Sequence, residues 1–300
     1  MLDFRVETFL AVCQHMNFTK AARELSITQP AVSHHIHYLE QAYGTALFQH
    51  NGKRLQLTEA GEILRRTLLT MKHDEQHLQK RMQQAASGTR DYSFGATLSV
   101  AEFMINEALG RFLQLHPDSH IQMQVADTKV LLSKLDSGEL DFAVVEGDFP
   151  KAEYDFFVFG TEEYVAAGDP EKAARYRGRR LTDLLVEPLL LREEGSGTRV
   201  ILEYYLKEHG LAAADFARTV EIGNIGAIKT LLKSGYGVSF LYRAAIRPEE
   251  AAGTLGVIEL SDFRLRHDIM FLFPKNSNFR ADYTAIFREL RACAEETGSA

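Results

Sequence analysis

The feature that most constrains this chain is the run FTKAARELSITQPAVSHHIHYLEQAYG, residues 18–44. Its small residues Ala21 and Ala22, followed by Leu25, Ile27, Val32 and Ile36, describe two short helices packed at an angle. Small side chains are required where two helices cross closely, and the break at Ser26 to Thr28 supplies the turn. Thr28 is placed to cap the second helix, and Pro30 fits its first turn because no intrahelical N–H is missed there. That helix should expose Gln29, Ser33, His34 and His37 on the face away from Ala31, Val32 and Ile36, and polar groups so placed reach base edges in a major groove. Upstream, Phe4, Phe9, Leu10 and Cys13 recur at helical spacing and predict a first helix up to about His15.

Beyond Gly44, LFQHNGKRLQLT reads as two short strands around Asn51-Gly52, a hairpin that carries Lys53 and Arg54 on a tip able to touch phosphate. The run from Phe9 to Gly61 resembles the winged helix-turn-helix of LysR-type transcriptional regulators. The resemblance is carried by AARELSITQPAVSHHIHYLE, by Leu47-Phe48 and by LTEAG at residues 57–61. It implies DNA-contacting or positioning roles for Thr28, Gln29, Pro30, Ser33 and Arg54. The chain departs from the family at His34 and His37, where basic or amide residues are common, and at His50, usually Arg. Histidines on the recognition helix are expected to face DNA and to make its binding tighter in mildly acidic solution. Adjacent residues on a helix point about 100° apart and no Cys or carboxylate cluster accompanies these histidines, so a metal is not expected.

From Thr58, a further potential cap, EAGEILRRTLLTMKHDEQHLQKRMQQAASG runs from Glu62 to Ser87 without Pro or Gly. Leu64, Leu68, Met71, Leu78 and Met82 fall largely at 4-3 spacing, interrupted by Glu75, and this stripe needs a cover. The cover is either a partner helix or the chain's own body; the family resemblance implies a dimer, and a tetramer at working concentrations.

After Ser87-Gly88 the pattern changes to strands alternating with helices. Strands are expected at 92–98, 121–126, 142–146, 156–159 with 164–167, 189–191, 220–222, 238–242 and 269–273, with helices at 102–115, 129–137, 199–209 and 227–232. This alternation predicts a mostly parallel, doubly wound α/β sheet. Such sheets bind ligands at the carboxyl ends of their strands, where helix N-termini favour anions. Thr97 and Ser99 follow the first strand, Thr128 the second, and REEGSGTR at 192–199 a later one. There Gly195 and Gly197 permit close backbone approach, while Ser196 and Thr198 offer hydroxyls.

From about Tyr92 onward the chain resembles the LysR effector-binding domain, which is similar to periplasmic binding proteins. LGRFLQLHP, LLSKLDSGELDFAVVEG, EEYVAAGDP, REEGSGTR and AIKTLLKSGYGVSFL carry the match. The resemblance implies a head at 1–60, a linker helix at 61–88 and an effector domain at 89–300, with lobe one at about 90–161 and 267–300 and lobe two at about 162–266. It implies an effector pocket of Thr97, Ser99, Thr128, Ser196, Thr198 and Asn224. One departure is Ile105-Asn106, where Leu-Pro is common.

Charge agrees with this division. Overall the balance is -7, but residues 1–88 carry ten Lys plus Arg against eight Asp plus Glu, or +2, and the remainder 24 against 33, or -9. Seven of the eleven histidines also fall in the first segment. The start MLDFRVETFL is no secretory signal, which implies a cytoplasmic protein. Enzyme chemistry is disfavoured: neither GxSxG nor GxxxxGK[ST] occurs, and Glu193-Glu194 reads as a solvated pair. A transport-type binding protein conflicts with the DNA-binding head, and a redox pair with Cys13 in the first helix and Cys293 in the last. The resulting expectation is a promoter-binding regulator without cofactor, governed by a small, anionic effector, with RNA polymerase as a further partner.

Overall fold

The structure, a computed structural model, describes residues 3–52 and 54–297; Lys53 lies outside the described residues. The N-terminal head contains α1 (Phe4–His15), α2 (Phe18–Glu24), α3 (Gln29–Tyr43), β1 (Phe48–Asn51) and β2 (Arg54–Leu57). Its core gathers Val6, Phe9, Val12, Ala21, Ala22, Val32, Ile36, Leu39 and Leu47. Ala21 and Ala22 are buried as the crossing requires. Side-chain caps start every helix of the head: Asp3 for α1, Asn17 for α2 and Thr28 for α3. The strands of the hairpin pair antiparallel, with Asn51 opposite Arg54.

The long helix α4 (Glu59–Ser87) begins at Thr58, whose hydroxyl accepts from Gly61 N at 3.0 Å and donates to Ala46 O at 2.7 Å. It ends at Gly88, where φ is 74°. Its 29 residues span about 40 Å at 1.5 Å per residue. The apolar stripe divides. Leu64 and Leu68 pack into the head, whereas Ile63, Met71, Leu78 and Met82 are exposed.

The C-terminal domain continues through β3 (Arg90–Ala96), α5 (Leu98–Phe103), α6 (Asn106–Leu115), β4 (Ser119–Val125), α7 (Thr128–Ser137), β5 (Phe142–Val145) and β6 (Tyr154–Gly168). Then follow α8 (Pro170–Arg175), β7 (Pro188–Leu191), α9 (Gly197–Glu208), β8 (Arg218–Glu221), α10 (Ile225–Lys233), β9 (Val238–Tyr242), α11 (Arg247–Ala251), β10 (Gly256–Ile258), β11 (Leu265–Pro274) and α12 (Arg280–Thr297). The sheet order is β4-β3-β5-β11-β6-β9-β7-β8, with β10 pairing β6.

Three expectations need correction. The sheet is mixed: β4-β3-β5 and β9-β7-β8 are parallel sets, but β6 and β11 run antiparallel between them. The pieces 156–159 and 164–167 form one strand, β6, because its first half pairs with β11 and its second with β9, carrying it from one parallel set to the other. The helix expected at 102–115 is two, α5 and α6, broken at Met104-Ile105; Ile105 has no capping side chain and is instead fully buried. Among the described residues no helix is long and apolar enough to cross a membrane.

Candidate DNA interface and effector crevice

On the recognition helix α3, burial of Val32, Ile36 and Leu39 turns the opposite face outward. Gln29, Pro30, His34 and His37 are exposed and Ser33 half-buried. Gln29 Nε2 donates to Ser33 Oγ at 2.9 Å, and Gln41 Nε2 lies 2.9 Å from His37 Nε2, so two polar pairs run along one face. Thr28 Oγ1 is taken by the cap, accepting from Ala31 N at 3.3 Å, which makes it a positioning group. Arg54 is exposed at the wing. His35 is separate: its Nδ1 lies 2.9 Å from Thr8 Oγ1 and its ring meets Phe4 edge-on, tying α3 to α1.

Two histidines counted toward the positive charge of the first segment do not serve the head. His73 and His77 on α4 are buried against the C-terminal domain. His73 Nε2 lies 2.9 Å from Leu140 O, and burial pushes its ring down to about 4, so it is neutral at physiological pH. His77 Nδ1 lies 3.3 Å from Asp141, which also receives Lys80 Nζ at 2.9 Å and Ser93 N at 2.7 Å. Burial opposes ionisation of Asp141, but these three partners outweigh it and hold the carboxyl below its ordinary range. Asp74 and Arg65 extend the seam, the latter reaching Glu153 at 2.7 Å. The long helix is therefore packed on its own chain along one face while its apolar stripe is exposed on another.

In the C-terminal domain the expected pocket residues sit where strands of both parallel sets end. Thr97 precedes α5 and Ser99 lies within it; Thr128 opens α7; Ser196, Gly197 and Thr198 start α9. Thr97, Ser99, Ser196 and Thr198 are each at most 4% exposed, so the crevice is closed. Ser196 Oγ lies 2.8 Å from Thr198 Oγ1, and the N-cap side chains of α5, α7 and α9 leave their helix starts uncapped. Gly195 has φ 93°, a conformation that favours glycine, and its missing Cβ would face Asp127 Oδ2 at 3.7 Å. Asn224 is apart from this group: it is exposed, and its Oδ1 accepts from Ala227 N at 2.9 Å to cap α10.

The residue that joins the two sides carried no role in the sequence reading. Glu146, just past β5, accepts a hydrogen bond from Thr97 Oγ1, and a Cβ at Gly197 would stand 3.4 Å from its Oε1. It is 3% exposed, and burial pushes its carboxyl up to about 7, against the pull of Arg192 and Ser99. Arg192 is itself buried and forks onto Glu193 through two 2.7 Å bonds, so Glu193 is an ion-pair partner and not a solvated bystander. The only signal in the sequence was position, since Glu146 stands at the carboxyl end of an apolar strand, the place where such sheets present ligand groups.

Residues 5–62 match the bacterial regulatory helix-turn-helix protein, lysR family, and residues 86–294 match the LysR substrate binding domain. The chain belongs to the LysR family of transcriptional regulators. Among relatives of this LysR-family regulator, the RuBisCO operon transcriptional regulator of Acidithiobacillus ferrooxidans is 28% identical over 97% of this chain and 94% of that protein. The regulator CysL of Bacillus subtilis is 25% identical over 89% of each. Solved structures share the fold: full-length LysG of Corynebacterium glutamicum with bound effector Arg has a TM-score of 0.62 at 19% identity, covering 99% of both chains. The CcmR regulatory domain of Synechocystis in complex with 2-PG has a TM-score of 0.60 at 20% identity, covering 68% of this chain and 97% of that one. LysR regulators bind promoter DNA and small-molecule effectors, oligomerise, and are not enzymes.

Proposed function

We propose that this regulator reads promoter DNA through Gln29, Ser33, His34 and His37 on α3, with Thr28 and Pro30 setting the helix and Lys53 and Arg54 on the wing meeting phosphate. A small oxyanionic metabolite bound between the lobes, at Thr97, Ser99, Thr128 and the segment Gly195 to Thr198, controls it. Asn224, occupied with its own helix, is at most a rim contact. The reading retains a head at 1–60, a linker at 61–88 and an effector domain at 89–300. A protein that acts on promoter DNA works in the cytoplasm, where RNA polymerase is the partner whose access it alters.

The observation that carries the effector assignment is the meeting of four buried hydroxyls with uncapped helix starts from both sides of one crevice. Backbone N–H groups and hydroxyls together suit an oxyanion. The relatives that hold 2-PG and Arg support a small molecule as the effector class. Ligand binding between the lobes changes their packing, and the seam along α4 transmits that change to the head.

A thermal-shift screen against small anionic metabolites, run on wild type, Thr97→Ala and Ser196→Ala, tests the assignment, because a ligand that binds only the folded state raises its melting temperature. The expected result is a stabilising compound whose effect both substitutions abolish. Hits that both variants retain in full would remove the effector from this crevice.

A further inference from the structure

Glu146 lies where the Proposed function seats an anion. It reaches from the first parallel set of strands to the start of α9 in the second, bonded to Thr97 on one side and packed against Gly197 on the other. The charged and titratable groups around it come from three elements: Asp127 before α7, Tyr242 at the end of β9, and, just past β7, Arg192 with Glu193, which takes it up in a two-bond fork. Asp127 adds negative charge, and Arg192, the cation that acts on Glu146, is already partnered by Glu193, so among the described residues around it no further cation is left to admit a second carboxylate beside an ionised Glu146. Two anions in one closed, water-poor space repel strongly.

Resting on that reading of the crevice, we infer that Glu146 is its built-in anion and the gate on its specificity: an oxyanionic effector binds only to the form in which Glu146 is protonated. Binding then takes up one proton from solvent, and the neutral carboxyl donates a hydrogen bond to the incoming oxyanion. Without effector, the ionised carboxylate occupies the seat and holds the crevice shut. Proton uptake at near-neutral pH is accessible because burial already raises this carboxyl to about 7.

The gate has a quantitative signature. When only a fraction of molecules is competent, the apparent dissociation constant rises by the inverse of that fraction. The test is calorimetric titration of full-length wild type, Glu146→Gln and Glu146→Ala with sulfate, whose charge does not change across the range, from pH 6 to pH 9 at constant ionic strength. Lysine hydrochloride serves as the cationic probe. Wild type is expected to lose roughly tenfold in sulfate affinity per pH unit above about 7, while Glu146→Gln binds about tenfold tighter than wild type at pH 8 and shows no such slope. Glu146→Ala must lose the slope too, which guards against an effect peculiar to the amide.

Sulfate affinity that is equal in wild type and Glu146→Gln at every pH would overturn the gate and leave the anion crevice standing. Absence of sulfate binding in all three proteins would overturn the gate and the anionic effector together. Lysine binding to wild type that Glu146→Gln abolishes would make Glu146 a ligand for cations and overturn the inference from the other side.

Discussion

Asp74 in the long helix accepts the Ser277 hydroxyl at 2.5 Å, a bond between residues more than two hundred positions apart that fastens the linker to the loop before the last helix. The same carboxylate accepts the N–H of Asn278 at 2.9 Å and its carboxamide at 2.8 Å. A buried carboxylate holding three donors is a strong local fastening, because losing it strands all three partners.

Asp74→Ala should therefore destabilise the chain by about 2–3 kcal/mol, on the scale of stranded charged hydrogen bonds. Urea unfolding compared with wild type measures it. If Asp74 matters only for this seam, isolated DNA contacts of the head persist while any effector response of DNA binding weakens.

His73 gives the seam a pH dependence of known sign. Its folded pKa is depressed by burial to about 4. Between that value and the ordinary histidine value near 6.5, the unfolded chain binds a proton that the folded chain does not, so stability falls as pH falls through this window. Wild type should lose about 2 kcal/mol more than His73→Gln between pH 7 and pH 5. Denaturant midpoints at the two pH values decide it; parallel losses would assign the acid sensitivity elsewhere.

Glu146 has the opposite sign. Its folded pKa is raised to about 7, so its contribution is most favourable below the ordinary glutamate value and is lost as pH rises through the folded one. Glu146→Gln should raise the melting temperature more at pH 8 than at pH 5, read by calorimetric scans.

Gly61 in the first turn of α4 has no room for a side chain: a Cβ there would stand 2.1 Å from Leu47 O and 2.8 Å from Leu57 Cδ2. Gly61→Ala should force the wing away from the helix at a cost of about 1–3 kcal/mol. Thermal melting, together with weakened DNA binding, would register both consequences.

On the DNA side, Arg54→Ala should lower affinity uniformly across sequences and reduce the slope of log affinity against log salt by about 0.9 for a lost phosphate contact. Gln29→Ala should instead change base preference at one position by about 1–3 kcal/mol. Gel-shift titrations over a salt series and an operator mutation panel separate the two.

The exposed stripe of Met71, Leu78 and Met82 is the face proposed for self-association. Leu78→Glu should shift sedimentation equilibrium toward smaller species and leave the monomer fold intact. Unchanged mass would direct attention to another face.

Local chemistry made much of this molecule legible from its residues. The crossing alanines, the caps at Thr28 and Thr58, the turn at Asn51-Gly52 and the stop at Gly88 each act within a few positions of themselves, and periodicities of two and 3.6 are likewise short-range. The head, the long helix, most strands and the hydroxyls ahead of α5 and α9 follow from such signals. What only tertiary structure decided depends on residues far apart in sequence. The antiparallel crossing strands arise because β6 pairs with β11 and β9, more than seventy residues downstream of it. His73, Asp74 and His77 look like a solvated helix face until the C-terminal domain is packed on them, and Glu193 looks solvated until the buried Arg192 meets it. Glu146 reads as the polar end of an apolar strand, and becomes the centre of the crevice only because Thr97, 49 positions earlier, and Gly197 close around it. Burial and proximity of charge are properties of the folded whole, and no short stretch of sequence contains them.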